Sequence, residues 1–598
     1  MRCSVLLWVC GALLLSSAAW ALGPYPPEIA AWTEATKAQQ RQAGEQLLQA
    51  MREAAKQGKL TFDIPKGDYR FAMQEKAGNR QVHIALRDFN DMVIDGHGST
   101  FWFEDDQQAV GIWRSKNLTI KNLFLDWDPL GFTQGTVTAV DEAKHAVYVT
   151  IDPGYERVTP RMAALASEGG AQPYILAGFI DAATGNFKTG QTGFRVTPFF
   201  KDQPVNGAYR VQVLRYYNLP LSVMQVHPGD RMAMWVRGEG GFLIEGCEKI
   251  RLQDITLYSC AGFNYREAVC VSNVYERCHI LRRPGTNRLL GGNSDGFHSS
   301  NCAVGPTIDG CIVEAIGDDG VNIHGFYRKM REQKSPTEVV VEQLAWRGTI
   351  EQPFTVDFFE NDGVKYLGRR TTVGPTTIAG GLHTLHLDQP ITLPKDVIVS
   401  SEQFVGAGAT VRNCTFRNIL TRGMLVQAPN MTIANNRFEW LGSFGLRVAS
   451  NPGYWGESAH PHNLTITGNT FIDTSVFRPT NMAAAAIYID NCARNPSEGM
   501  PVQNVLIEKN TFLRVRGAGV LSRGVTNLRI IGNTFDGFSL TDPLPLIPGN
   551  SPAFAADELG YALLLKAVTG AEVRDNTFTN PGPFSKGVQR EVDVIPVL

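Results

Sequence analysis

The segment "NLTITGNTFID" (463–473) holds the pattern that decides the fold. Apolar residues alternate with polar ones on either side of a Gly-Asn turn, as in two short strands joined at a corner. Its tail recurs through the C-terminal third as "NCTF" (413–416), "NNRF" (435–438), "GNTF" (468–471), "KNTF" (509–512), "GNTF" (532–535) and "DNTF" (575–578). The phenylalanines fall at 416, 438, 471, 512, 535 and 578, spaced by 22, 33, 41, 23 and 43 residues. Two gaps give a single period near 22; the others read as one turn with an insertion, or as two turns. Upstream, "NLTIKNLFLDW" (117–127) and "KIRLQDITLYS" (249–259) are of the same kind.

A period of roughly 20–25 residues built of short alternating strands signals a solenoid. The regular leucines of a leucine-rich repeat are missing, and propeller blades are about twice as long. The fold class is therefore all-β: a right-handed parallel β-helix. Two residues before each repeat apolar residue stand Cys278, Cys311, Cys414, Asn436, Asn469, Asn510, Asn533 and Asn576. In stacked coils these form a column of packed thiols that gives way to a ladder of asparagine amides.

The pattern is interrupted twice. Residues 130–235 and 327–402 alternate like antiparallel strands ("GTVTAVDEAKHAVYVTI", "TEVVVEQL") and are expected to be two small inserted β-barrel-like domains. Pro27 to Gly58, rich in Ala and Gln, is expected to be a helix covering the open first coil, whose edge strands are otherwise unpaired. The organisation expected is a signal peptide over 1–21, cap and first coils over 22–129, the first insertion, site-bearing coils over 236–326, the second insertion, and C-terminal coils over 403–598.

The N-terminus "MRCSVLLWVCGALLLSSAAWALG" carries Arg2, an apolar run from Val5 to Leu15 and an Ala-Trp-Ala cleavage pattern at 19–21. This is the pattern of a cleaved secretory signal, too short for a bilayer span, so export to the periplasm or the outside is expected, with no membrane span. Lys+Arg at 56 against Asp+Glu at 58 gives no reason to expect a nucleic-acid partner. No Cys-x-x-Cys pair exists among the ten cysteines, which argues against a zinc site.

The chemistry is concentrated in "NSDGFHSSNCAVGPTIDGCIVEAIGDDGVNIHG" (293–325). Asp295-Gly-Phe-His298 aligns with Asp319-Gly-Val-Asn322, and stacked coils lie about 4.8 Å apart, so Asp295 and Asp319 become neighbours with Asp318 beside them. Simple alternation sends Asp295 and Asp319 inward, where a carboxylate costs several kcal/mol. Gly296 and Gly320 are therefore read as a bend that turns all three carboxylates outward. Asp309, at the turn before Cys311, is read as structural. Three clustered carboxylates repel, so at least one keeps its proton to higher pH. One protonated acid beside ionised carboxylates is what glycoside hydrolysis needs. The same GDDG also fits a calcium site, and a lone Asp-Gly is an ordinary turn. Candidate sugar contacts are His298, Asn322, His324, Arg447, Arg422 and Glu267, the last aligned with the aspartates through Glu267-Ala268-Val269.

The pair "NSDG…GDDG" resembles the signature of polygalacturonases of glycoside hydrolase family 28. Their separate Gly-His-Gly turn and Arg-x-Lys clamp are absent, which disfavours an acidic sugar. A closer resemblance is to the α-1,3-galactosidases of glycoside hydrolase family 110, carried by "GDRMAMWVRGEGGFLIEGCEKIRLQDITLYSCAGF" (229–263), "NSDGFHSSNC" (293–302) and "IGDDGVNIHG" (316–325). The resemblance implies hydrolysis, with inversion, of terminal α-1,3-linked galactose from blood-group-B-type or linear α-galactosyl glycans. It implies catalytic roles for Asp295, Asp318 and Asp319, a glycan as the partner, and no metal or organic cofactor. Another β-helical glycan enzyme (hydrolase or lyase) and a non-catalytic glycan-binding β-helix remain open on the residues alone.

Overall fold

The computed structural model describes residues 23–596 except 73–74, 78–79, 160–161, 164–174, 190–193, 198–202, 215–220, 345–351, 364, 377, 450–454, 459, 478–482, 494, 501 and 543–553. The expected signal peptide lies outside the described residues. The chain is a β-helix whose coils pair in parallel, with the buried core running along its axis. At its start, a helix at Glu34–Lys56 lays Leu47, Leu48, Met51 and Ala54 over the first coil. Thr33 caps it by accepting a hydrogen bond from the Thr36 amide at 3.1 Å.

The repeat sets the register. Phe416, Phe438, Phe471, Phe512, Phe535 and Phe578 are direct neighbours on successive coils. Every gap is therefore one turn, and the long ones carry loops. The rings stack with centroids 4.4–5.1 Å apart. Beside them Asn436, Asn469, Asn510, Asn533 and Asn576 pass amide hydrogen bonds of 2.9–3.0 Å from coil to coil. Cys278, Cys311 and Cys414 extend that column as free thiols: each coil's backbone N–H donates to the next sulfur, and Cys414 donates to Asn436. A buried polar column of this kind leaves no slack in register, because a slip would orphan every amide in it.

Two antiparallel sheets interrupt the helix. Among the described residues, one has six strands between Phe132–Asp141 and Arg231–Trp235 and the other has seven between Arg328–Ser335 and Val397–Ser400. Each has its own apolar core. In both, the strand that leaves the helix pairs with the strand that returns, Phe132 with Trp235 and Arg328 with Val399. Each insertion therefore starts and ends at one place on the helix, which fixes where Arg237 and Phe326 stand. Among the described residues, no helix is long and apolar enough to cross a membrane.

Candidate active site

The strands Tyr265–Ala268, Phe297–Ser300, Val321–Phe326, Met424–Val426 and Leu446–Val448 stack in one column. Tyr265, Phe297, Val321, Met424 and Leu446 point inward, so the residues after them (Arg266, His298, Asn322, Leu425, Arg447) line the outer face. The turn before each strand is where the aspartates sit. The Gly296 amide donates to the Asp319 carbonyl and the Gly320 amide to the Arg422 carbonyl, which stacks Asp295, Asp319 and Arg422 one above another. A Cβ on Gly320 would lie 2.5 Å from the Gly423 oxygen and 2.7 Å from Phe416. The bend thus requires glycine for close approach, and it throws the preceding aspartate outward.

The three carboxylates have different surroundings. Asp319 accepts from Thr421 Oγ1 at 2.7 Å and from Arg422 through Nε at 2.7 Å and Nη2 at 3.0 Å. Asp318 is the least buried, and it is ion-paired with Arg237, the second residue after the returning strand of the first insertion. Asp295 is enclosed, with a side chain only 5% exposed, and its Oδ2 meets His298 Nδ1 at 2.8 Å. Burial first, then the neighbouring Asp319 carboxylate, pushes the Asp295 carboxyl up to about 8.

The contacts continue from Asp295. His298 Nε2 lies 3.2 Å from His324 Nε2, and His324 Nδ1 lies 2.7 Å from the Gly325 carbonyl oxygen. Burial, before any charge, pushes both imidazoles down to about 4, so they are neutral at pH 7. The tautomers then follow from donor counting. A carbonyl only accepts, so His324 carries its proton on Nδ1 and offers Nε2 as acceptor. His298 must donate from Nε2, which leaves its Nδ1 as acceptor toward Asp295. The proton between them therefore belongs to Asp295.

The right-handed beta helix region family matches residues 397–589. "Alpha-1,3-galactosidase B" of Bacteroides thetaiotaomicron is 24% identical over 508 residues, covering 79% of this chain and 80% of its own. "Alpha-1,3-galactosidase A" of Bacteroides fragilis is 23% identical over 492 residues, covering 79% and 78%. The chain is a glycoside hydrolase similar to these α-1,3-galactosidases over most of its length. Among solved structures, an exopolygalacturonase from Thermotoga maritima is similar at 10% identity and a TM-score of 0.41, covering 90% of this chain and 88% of that one.

For a glycoside hydrolase, the candidate contacts divide by register. Glu267 is a correction. It pairs with Ser299, not with Asp295, and so points into the helix. There it accepts from Ser299, Asn273 and Tyr275 at 2.7–3.0 Å, and burial raises its pKa. The residue that aligns with Asp295 on that coil is Phe263, whose ring packs 4.5 Å from His298. Arg422 reaches the site but its guanidinium grips Asp319. Asn322 and His324 are buried in the wall, and Asn322 is held by Gln427 and Glu457 at 3.0 and 3.2 Å. Both ring nitrogens of His298 are in use. These four side chains are spent on protein partners: Arg422 on Asp319, His298 on Asp295 and His324, and Asn322 on Gln427 and Glu457. Arg447 differs: it lies on the outer face two coils beyond Asn322, and its Nε is buried with no hydrogen-bond partner.

Sequence reasoning missed Arg237 and Glu457. Glu457 enters on a two-residue strand paired antiparallel to the end of the Val321–Phe326 strand. Neither residue lies on a coil repeat, so no periodicity marks it. A grouping with metal-ligand spacing among the described residues is Asp63, Asp95 and His97, on the first coils. Asp95 there is already paired with Lys121 at 3.0 Å.

Proposed function

We propose that the protein is an exported exo-glycosidase that removes terminal α-1,3-linked galactose from blood-group-B-type or linear α-galactosyl glycans, with inversion. What carries this reading is the trio Asp295, Asp318 and Asp319, brought to one outer face on adjacent coils and given three different surroundings. The names of its relatives support α-1,3-linked galactose as the substrate, and the N-terminal sequence supports export.

Asp318 is the general acid. It is the most accessible of the three and stands apart from the Asp295–Asp319 stack, so it can reach the leaving oxygen. Asp295 and Asp319, on consecutive coils, hold one water between them, and Asp319 takes its proton as the oxygen attacks the anomeric carbon. Inversion needs the acid and the base about 6.5–9.5 Å apart to leave room for that water. Two stacked carboxylates sharing one water, with the acid offset from them, suit this better than a nucleophile pressed against the sugar. Arg447, with its free Nε on the same face, is a contact for sugar hydroxyls.

The test is galactose release from linear and from fucosylated α-1,3-galactosides, with the first product read by proton NMR before mutarotation. β-Galactose is expected. Initial α-galactose, or an ester trapped on one of the aspartates, would overturn the assignment of roles. No release from either substrate would overturn the specificity.

A further inference from the structure

The turn that carries Asp318 is shaped by the first insertion as well as by its own coil. We propose that Trp235 and Asn293 are positioning residues for Asp318, fixing its carboxylate against Arg237, so that the first inserted sheet sets the geometry and the charge around the acid. The proposal rests on the hydrolytic reading above, in which Asp318 is the acid, and adds to it two side chains that are fully buried and touch no substrate.

Asp295 and Asp319 owe their places to coil stacking. Asp318 is ion-paired instead with Arg237, which lies outside the coils, two residues beyond the strand Arg231–Trp235. What places Arg237 therefore places the charge beside the acid. Asn293 does part of this. Its Nδ2 donates to the Gly131 carbonyl at 2.9 Å and to the Val236 carbonyl at 3.3 Å. Gly131 immediately precedes the strand that leaves the helix, and Val236 immediately follows the strand that returns. One amide on the coil of Asp295 thus staples both roots of the insertion, with Arg237 the next residue along.

Trp235 does the rest from the other side. Its ring is buried in a cluster with Phe132, Phe187, Leu290 and Leu420, shared between the insertion and the coils. The ring edge lies against Gly317, the residue before Asp318. A Cβ on Gly317 would stand 2.7 Å from Cζ2 and 2.8 Å from Cε2 of the indole, and 2.8 Å from the Asn293 carbonyl oxygen. The Gly317 amide donates to the Gly292 carbonyl at 3.0 Å, so the turn is gripped from its coil as well. The indole acts by shape, since its Nε1 is buried with no hydrogen-bond partner among the described residues. The backbone before Asp318 and the carboxylate of Asp318 are thus held by one short stretch, Trp235 to Arg237. The titratable groups in and beside the trio are Asp295 with His298, Asp319 with Arg422, and Arg237. Of these, Arg237 alone is supplied by the insertion.

Trp235→Phe removes the ring edge at Gly317 and keeps an aromatic in the cluster. Carbon-13 NMR of the Asp318 carboxyl in the ligand-free protein, assigned with Asp318→Asn, gives the first reading. Its titration should move to higher pH by about half a unit in Trp235→Phe, toward the shift of about 1 unit expected for Arg237→Gln, because a cation held less closely opposes protonation less. In the double variant Trp235→Phe/Arg237→Gln the shift should equal that of Arg237→Gln alone, since no cation is left to be positioned. On substrate, kcat of Trp235→Phe should fall about 10–100-fold with KM within about twofold, and the alkaline limb of its pH profile should move with the carboxyl titration. Should Trp235→Phe fail to fold, Gly317→Ala makes the same measurement: its methyl pushes the turn off the indole and should move the titration in the same sense. An Asp318 titration left unmoved in the folded variant would overturn the proposal, as would a kcat lowered equally at every pH, which is what lost packing alone gives. Because the titration needs no substrate, a wild type inactive on galactosides would sink the functional proposal and leave this positioning to be decided by the carboxyl signal.

Discussion

Asp295→Asn is expected to abolish turnover and yet stabilise the protein, by an amount that grows with pH. An unfolded aspartate ionises near pH 3.9. In the folded protein burial and Asp319 hold Asp295 protonated up to about 8. Between those values the unfolded chain binds fewer protons, so the wild type loses stability as pH rises through this window, at up to about 1.4 kcal/mol per pH unit. Below about pH 4 the group costs nothing, and above about 8 the whole cost is present. Four units give about 5.5 kcal/mol as an upper bound, and solvent relaxation around the opened site brings the realised value to about half, about 2–3 kcal/mol. Asparagine has the shape of the protonated acid, and its Nδ2–H can donate to His298 Nδ1 as the carboxyl does. The difference between variant and wild type should therefore be near zero at pH 4, about a quarter of its full size at pH 5, and complete by pH 8. Urea midpoints at pH 5, 6, 7 and 8 measure it. A variant less stable than wild type at pH 8, or a difference that does not change with pH, would refute the protonated state of Asp295.

Asp318→Asn should lower kcat by about 10²–10⁴-fold, the usual worth of a positioned acid, with an unchanged melting temperature; full activity would remove Asp318 from the acid role. Arg237→Gln takes a cation from beside that acid, so the alkaline limb of the kcat profile should move to higher pH, since an acid acts only while protonated and a neighbouring cation opposes protonation. No movement of that limb would mean that another group is the acid. Asn469→Ala removes four hydrogen bonds of 2.9–3.0 Å from the ladder, among them the acceptor of the buried Asn436 backbone N–H. It should destabilise by about 3–5 kcal/mol without altering kcat, and a loss under 1 kcal/mol by urea titration would show that the ladder is incidental.

The sequence by itself determined the coil. Strand alternation, the repeated phenylalanine and the small or amide residue two places before it are local properties, and stacking identical coils multiplies each into a column. It also determined that Asp295 and Asp319 would meet, because each precedes a glycine at the same point of its coil. Glu267 shows the limit. Its coil has Asn264 where the neighbours have glycine, so the landmark was missing, and an alignment shifted by four residues put an inward side chain in the outward set. A shift of four keeps the alternation of a strand, but the bend at the glycine position lies between the two places, so one side faces the site and the other the core. The tertiary structure decided the rest. Arg237 is 81 residues from Asp318 and Glu457 is 135 from Asn322; both arrive outside the repeat, where sequence carries no period. The division of labour among the carboxylates came only with the fold, since whether an aspartate keeps its proton depends on what encloses it and which guanidinium or imidazole faces it.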